Sequence, residues 1–122
     1  MRGAVLAAML RRSLLLLLLL AGCSKGPDAD LQYIGQARSA AAEWALVNEQ
    51  ASEGKLTRAY VGSMHRWIRD QIQSSATSLS EPDSPYGDQI VALLQQPDDA
   101  APQDLRARAA ALKQIEDKLE SA

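Results

Sequence analysis

An all-α fold, a small antiparallel helical hairpin or bundle of three to four helices, is predicted by three features of the sequence. Apolar residues beyond position 30 recur at spacings of three and four, the period of one face of a helix. No segment alternates apolar and polar residues with period two, as a half-buried strand would. Gly54 and prolines 82, 85, 97 and 102 divide the periodic stretches into lengths suited to helices.

The chain first presents a leader. Arg11 and Arg12 precede seven leucines at 14–20, and Ala21-Gly22 supply the small residues of a cleavage site, the three parts of an export signal. The apolar run over 14–22 has nine residues, against about 20 for a helix crossing the hydrocarbon core, so it is not read as a permanent span. The segment before the arginines is itself weakly apolar, and Met9 is a second candidate start of translation beside Met1.

Leu20-Ala21-Gly22-Cys23 closely resembles the lipobox of bacterial lipoproteins, a resemblance confined to this signal. It implies cleavage between Gly22 and Cys23, a diacylglyceryl group on the Cys23 thiol and an acyl chain such as palmitate on the new amine. Residues 1–22 would then be signal peptide, 23–29 the acylated cysteine with a polar tether, and 30–122 a helical domain. Each buried CH₂ contributes about 0.8 kcal/mol and two or more chains anchor stably, so the membrane itself becomes a partner. Ser24 and Lys25 follow the cysteine where an aspartate would retain a lipoprotein in the inner membrane, and the resemblance therefore favours the outer membrane, facing the periplasm.

Removing the leader changes the charge. Arg2, Arg11 and Arg12 leave with it and no acidic residue does, so 10 of the 13 basic residues face all 15 acidic ones, a net charge of −5. Nucleic acid is excluded as an expected partner. The one cysteine is used by the anchor, so no disulfide staples the domain. No repeat of 20 to 50 residues runs along it.

The first helix is expected over roughly 29–52, with Asp28 or Asp30 as N-cap and Leu31, Ile34, Ala37, Ala41, Trp44, Ala45 and Ala51 on its apolar face. Gly54 is read as a left-handed C-cap. The second helix, roughly 56–79, carries Leu56, Tyr60, Met64, Trp67, Ile68, Ile72 and Leu79; the short connection makes the pair an αα-hairpin. Its serines and Thr77 weaken the last turns. Ser84-Pro85 marks a third helix, an N-cap followed by proline where no N–H is needed, with Tyr86, Ile90, Leu93 and Leu94 turned inward and an end before Pro97. Residues 98–102 start the fourth, whose Leu105, Ala109, Leu112, Ile115 and Leu119 repeat at three and four. Asp104 with Arg108 and Lys113 with Asp117 are spaced to pair on its outer face. With no phenylalanine and many alanines the core is thin, so the bundle is either slender or completed by another subunit.

Candidate sites are few. Trp44 and Trp67 fall near the middles of the two long helices, on their apolar stripes; they either meet in the core or line a groove for a peptide or lipid. Arg58, His65 and Arg69, at i, i+7 and i+11 with Arg66 beside them, form a face that either binds an anion such as a lipid phosphate or is solvated and paired with Glu43, Glu49 or Asp70. His65, the single histidine, has no carboxylate four residues away to complete a metal site. No nucleophile is set beside a base and no glycine-rich phosphate loop occurs, so neither an enzyme nor a cofactor is expected. The preferred reading is a non-enzymatic envelope lipoprotein that scaffolds an envelope protein or self-associates; the alternative is a small-ligand or lipid-binding helical module of the periplasm, with its cavity between the tryptophans.

Overall fold

The computed structural model describes residues 26–122, so the leader, the lipobox and Cys23 lie outside the described residues. The rest is all helical: α1 (Pro27–Ser52), α2 (Arg58–Ser78), α3 (Pro85–Leu94) and α4 (Pro102–Glu120). None of them is long and apolar enough to cross a membrane.

α1 starts two residues earlier than its apolar pattern indicates, so the last part of the expected tether is helical. Pro27 occupies the first turn, where its fixed φ suits the helix, and Gly26 stands at the N-cap with φ 103°. Neither Asp28 nor Asp30 caps this end. Asp28 remains in the first turn, where its charge complements the helix dipole. The other end follows the expectation closely. Gly54 has φ 71°, its N–H reaches the Ala51 carbonyl at 3.0 Å, and the Lys55 N–H reaches the Gln50 carbonyl at 3.0 Å, the paired bonds of a Schellman motif.

The short turn that follows reverses the chain. Thr57 caps α2 by accepting from the Tyr60 N–H at 3.2 Å, which places the start at Arg58 rather than Leu56. The hydroxyl-rich end does not break early. Ser75, Thr77 and Ser78 donate to carbonyls four residues back at 3.1, 3.1 and 2.7 Å, so these side chains are satisfied within the helix.

Ser84 caps α3 as its sequence implies, accepting from the Gly87 N–H at 3.1 Å, with Pro85 next. Gly87 is required by close approach: a Cβ there would lie 2.8 Å from the Pro82 carbonyl carbon and closer still to its oxygen. α4 has no side-chain cap, and Asp98 and Asp99 lie ahead of its Ala101 N-cap.

α1 is the central element. α2 and α4 pack along it, both antiparallel to it, while α3 fills the space between α2 and α4, which do not pack on each other. Ala37, Ala41 and Ala45 are fully buried, and their small side chains let neighbouring helices approach α1 closely around Ile34 and Trp44. Ile68 and Ile72 from α2, Ile90 and Leu93 from α3, and Leu105 and Leu112 from α4 complete the core. Among the expected charge pairs, Lys113 and Asp117 meet at 2.8 Å, whereas Asp104 and Arg108 form no ion pair.

Candidate functional site

Two polar clusters, one at each end of the buried stripe of α1, account for most of the side-chain hydrogen bonds between elements. The first grips the connection from α3 to α4. Trp44 Nε1 donates to the Asp98 carbonyl at 2.9 Å, and Asn48 Nδ2 donates to the carbonyls of Asp98 and Ala100 at 2.9 and 2.8 Å. Those bonds fix the Asn48 amide, leaving Oδ1 as an acceptor facing His65 Nε2 at 2.8 Å. With Oδ1 as the acceptor, Nε2 of His65 is the donor of this bond.

Arg69 completes this cluster. Its guanidinium lies 4.8 Å from the centre of the Trp44 ring, donates to the carbonyls of Leu94 and Gln96 at 3.1 and 2.5 Å, and pairs with Asp98 Oδ1 at 2.7 Å. Leu94 ends α3, so a cation sits on the carbonyl end of that helix where its dipole favours positive charge. The planar fork reaches two carbonyls and a carboxylate at once, which an ammonium group does not do in one plane.

The second cluster holds the connection from α2 to α3. Asp30 is buried and accepts from the backbone N–H groups of Ser80 and Glu81 at 2.8 and 3.1 Å and from the Tyr86 hydroxyl at 2.7 Å. Burial works to raise its pKa, but the bonds from Ser80, Tyr86 and Glu81 together outweigh it and hold the carboxyl below its ordinary value. Burial, followed by the bond to Asp30, pushes the Tyr86 hydroxyl well above the ordinary tyrosine range. Ser80 also ties this corner to the start of α1, exchanging bonds with the Gly26 N–H and carbonyl at 3.3 and 3.1 Å.

The basic face read from the sequence divides. His65 and Arg69 turn into the bundle and are occupied by Asn48 and by the α3–α4 connection, while Arg58 and Arg66 point to solvent, Arg66 with only the Ser63 hydroxyl at 3.3 Å. The four do not form one anion site. The carboxylate that meets this face is Asp98, not Glu43, Glu49 or Asp70; Glu49 pairs with Arg106 of α4 instead.

The tryptophans also part. Trp44 is fully buried and Trp67 is 47% exposed, so they neither meet in the core nor line a common groove. The physical reason is register: Met64 and Ile68 already fill the α2 side of the core, and Trp67 lies at the outer edge of the same helix. Trp44 instead tilts toward the His65 ring, with centroids 6.4 Å apart.

A depression of about 280 Å³ opens beside His65, lined mainly by Ala51, Val61, Ala100 and Pro102, with His65 and Asp99 as its ionisable groups. Among the described residues no three His, Cys, Asp or Glu side chains group as metal ligands. Asp30 and Asn48 are the residues that periodicity reading passed over. Their signal was their spacing: Asp30, Ile34, Ala37, Ala41, Trp44 and Asn48 step by four and three, a single buried line with a polar group at each end.

No protein-family model matches the chain, and neither curated proteins nor solved structures show significant similarity to it.

Proposed function

We propose that the chain is a non-enzymatic lipid-anchored protein of the bacterial cell envelope, acylated at Cys23, whose helical domain is a scaffold or interaction module facing the periplasm from the outer membrane. The observation that carries this reading is Leu20-Ala21-Gly22-Cys23, with only Ser24 and Lys25 between it and the Gly26 N-cap. So short a connection joins anchor and domain almost directly, and acyl burial of about 0.8 kcal/mol per CH₂ makes the attachment durable. The use of the side chains adds support. Asp30, His65, Arg69 and Tyr86, the groups best suited to chemistry by type, are occupied in joining helices.

Intact-mass measurement of the protein extracted from bacterial membranes tests the reading. The expected product begins at Cys23 and carries the added mass of a diacylglyceryl group and an amide-linked acyl chain. A mature chain with an unmodified Cys23, or one cleaved elsewhere, overturns it.

A further inference from the structure

The outer side of the α1–α2 hairpin leaves large apolar side chains open to solvent. There Leu46, Tyr60 and Trp67 are each about half exposed, three of the four large apolar side chains left open among the described residues. A groove of about 140 Å³ runs between the helices beside Leu46 and Tyr60, lined also by Glu43, Val47, Leu56 and Met64, and Trp67 lies outside it, two turns beyond Tyr60 along α2. That volume holds one leucine or phenylalanine side chain.

Charge selects the occupant. Glu43 is half-buried in the groove wall and Asp70 lies one turn beyond Trp67 and Arg66; among the described residues neither carboxylate has an ion-pair or hydrogen-bond partner. The charged group that lines the groove itself is the Glu43 carboxylate. Exposed aromatic residues such as Tyr60 and Trp67 are enriched in protein-binding surfaces.

The geometry points to this groove as the docking site for an amphipathic helix of a partner protein, one apolar side chain entering the groove and a lysine or arginine of the same helix pairing with Glu43. The assignment rests on the interaction-module reading above and names the partner's chemistry. A helix laid along a hairpin groove presents its own apolar anchors at i, i+3 or i+4, and i+7, the side chains that would meet Leu46 and Tyr60 on the two walls.

The test uses the full-length protein in phosphatidylcholine nanodiscs and two synthetic helices about 18 residues long with one leucine stripe, flanked in one by lysine and in the other by glutamate. Binding is read from Trp67 fluorescence, with Trp67→Phe as the background and empty nanodiscs as the blank. The lysine helix is expected to shift the emission saturably to the blue and to bind at least roughly tenfold more tightly than the glutamate helix, about 1.4 kcal/mol. Glu43→Lys, with Asp70→Lys as a second variant should the first fail to fold by circular dichroism, is expected to invert or abolish that preference. Equal binding of the two helices, or an unchanged preference in both variants, overturns the proposal. So does a peptide-free blue shift that grows with protein concentration, which assigns the face to a second copy, or quenching of Trp67 by brominated lipid, which assigns it to the bilayer. The mass of Cys23 is measured separately, so loss of the anchoring reading and loss of this one are told apart.

Discussion

Replacing Arg69 with methionine separates an architectural arginine from a binding one. The substitution keeps the aliphatic stem and removes three donors and a cation. The two carbonyls it leaves, one on the last residue of α3 and one in the connection after it, are partly buried, so each loses a charge-assisted bond worth about 1.5–3 kcal/mol, partly recovered by water. The Asp98 carboxylate is 61% exposed, and its ion pair therefore contributes no more than about 1 kcal/mol. The contact with the Trp44 ring adds about 0.5–2 kcal/mol. These terms share one side chain and do not add fully, so the expected loss is about 2–4 kcal/mol. In a domain of this size that lowers Tm by roughly 10–25 °C. Arg66→Met, one residue from the exposed Trp67, should stay within about 0.5 kcal/mol. Arg69→Lys keeps the charge without the fork and should fall between the two. Urea unfolding followed by circular dichroism measures all three. Equal effects of Arg66→Met and Arg69→Met, or a loss below about 0.5 kcal/mol at Arg69, refute the reasoning.

Two further substitutions probe the α2–α3 corner. Gly87→Ala drives a methyl group into the Pro82 backbone, which unlike a flexible side chain cannot turn away; it should cost about 1–3 kcal/mol in urea unfolding, and a neutral or stabilising result contradicts the packing described. Asp30→Asn tests the carboxylate. Because the folded pKa lies below the ordinary value, the unfolded state takes up the proton more readily, so the stability Asp30 supplies is present above about pH 4 and is lost as pH falls through the folded value. The gap in Tm between the native protein and Asp30→Asn should therefore narrow between about pH 5 and pH 2, and a gap that stays constant across that range denies the carboxylate its role.

What the sequence made legible follows from how local each signal is. The Schellman end at Gly54, the Ser84-Pro85 start and the inward faces of α3 and α4 depend on residues a few positions apart, and all stand as read. The edges of the α2 stripe did not. Tyr60 and Trp67 share the helical period with Ile68 and Ile72, but the arc that α1 and α3 cover is narrower than the apolar arc α2 presents, and the surplus stays in solvent. Period identifies a face; only the neighbours decide how much of it is covered. The basic face failed for a related reason, since a helical repeat aligns Arg58, His65 and Arg69 without showing that Asn48 of α1 takes His65 and that a loop far along the chain returns to take Arg69.

That return explains how a core so poor in large side chains specifies one arrangement. The alanine-rich middle of α1 packs closely but discriminates little between alternative helix registers. Asp30 and Asn48 remove the ambiguity, because a shift of α2 or α4 along α1 by one turn separates them from Ser80, Glu81 and Tyr86 at one end or from Asp98 and Ala100 at the other. Each shift leaves buried donors and acceptors unpaired, at about 1–3 kcal/mol per group. The apolar stripe thus supplies attraction and its two polar ends supply register. The same division leaves the outer edge of the α1–α2 hairpin half exposed, so Leu46, Tyr60 and Trp67 can be changed there at little expense to the bundle, the freedom that the proposed docking role requires.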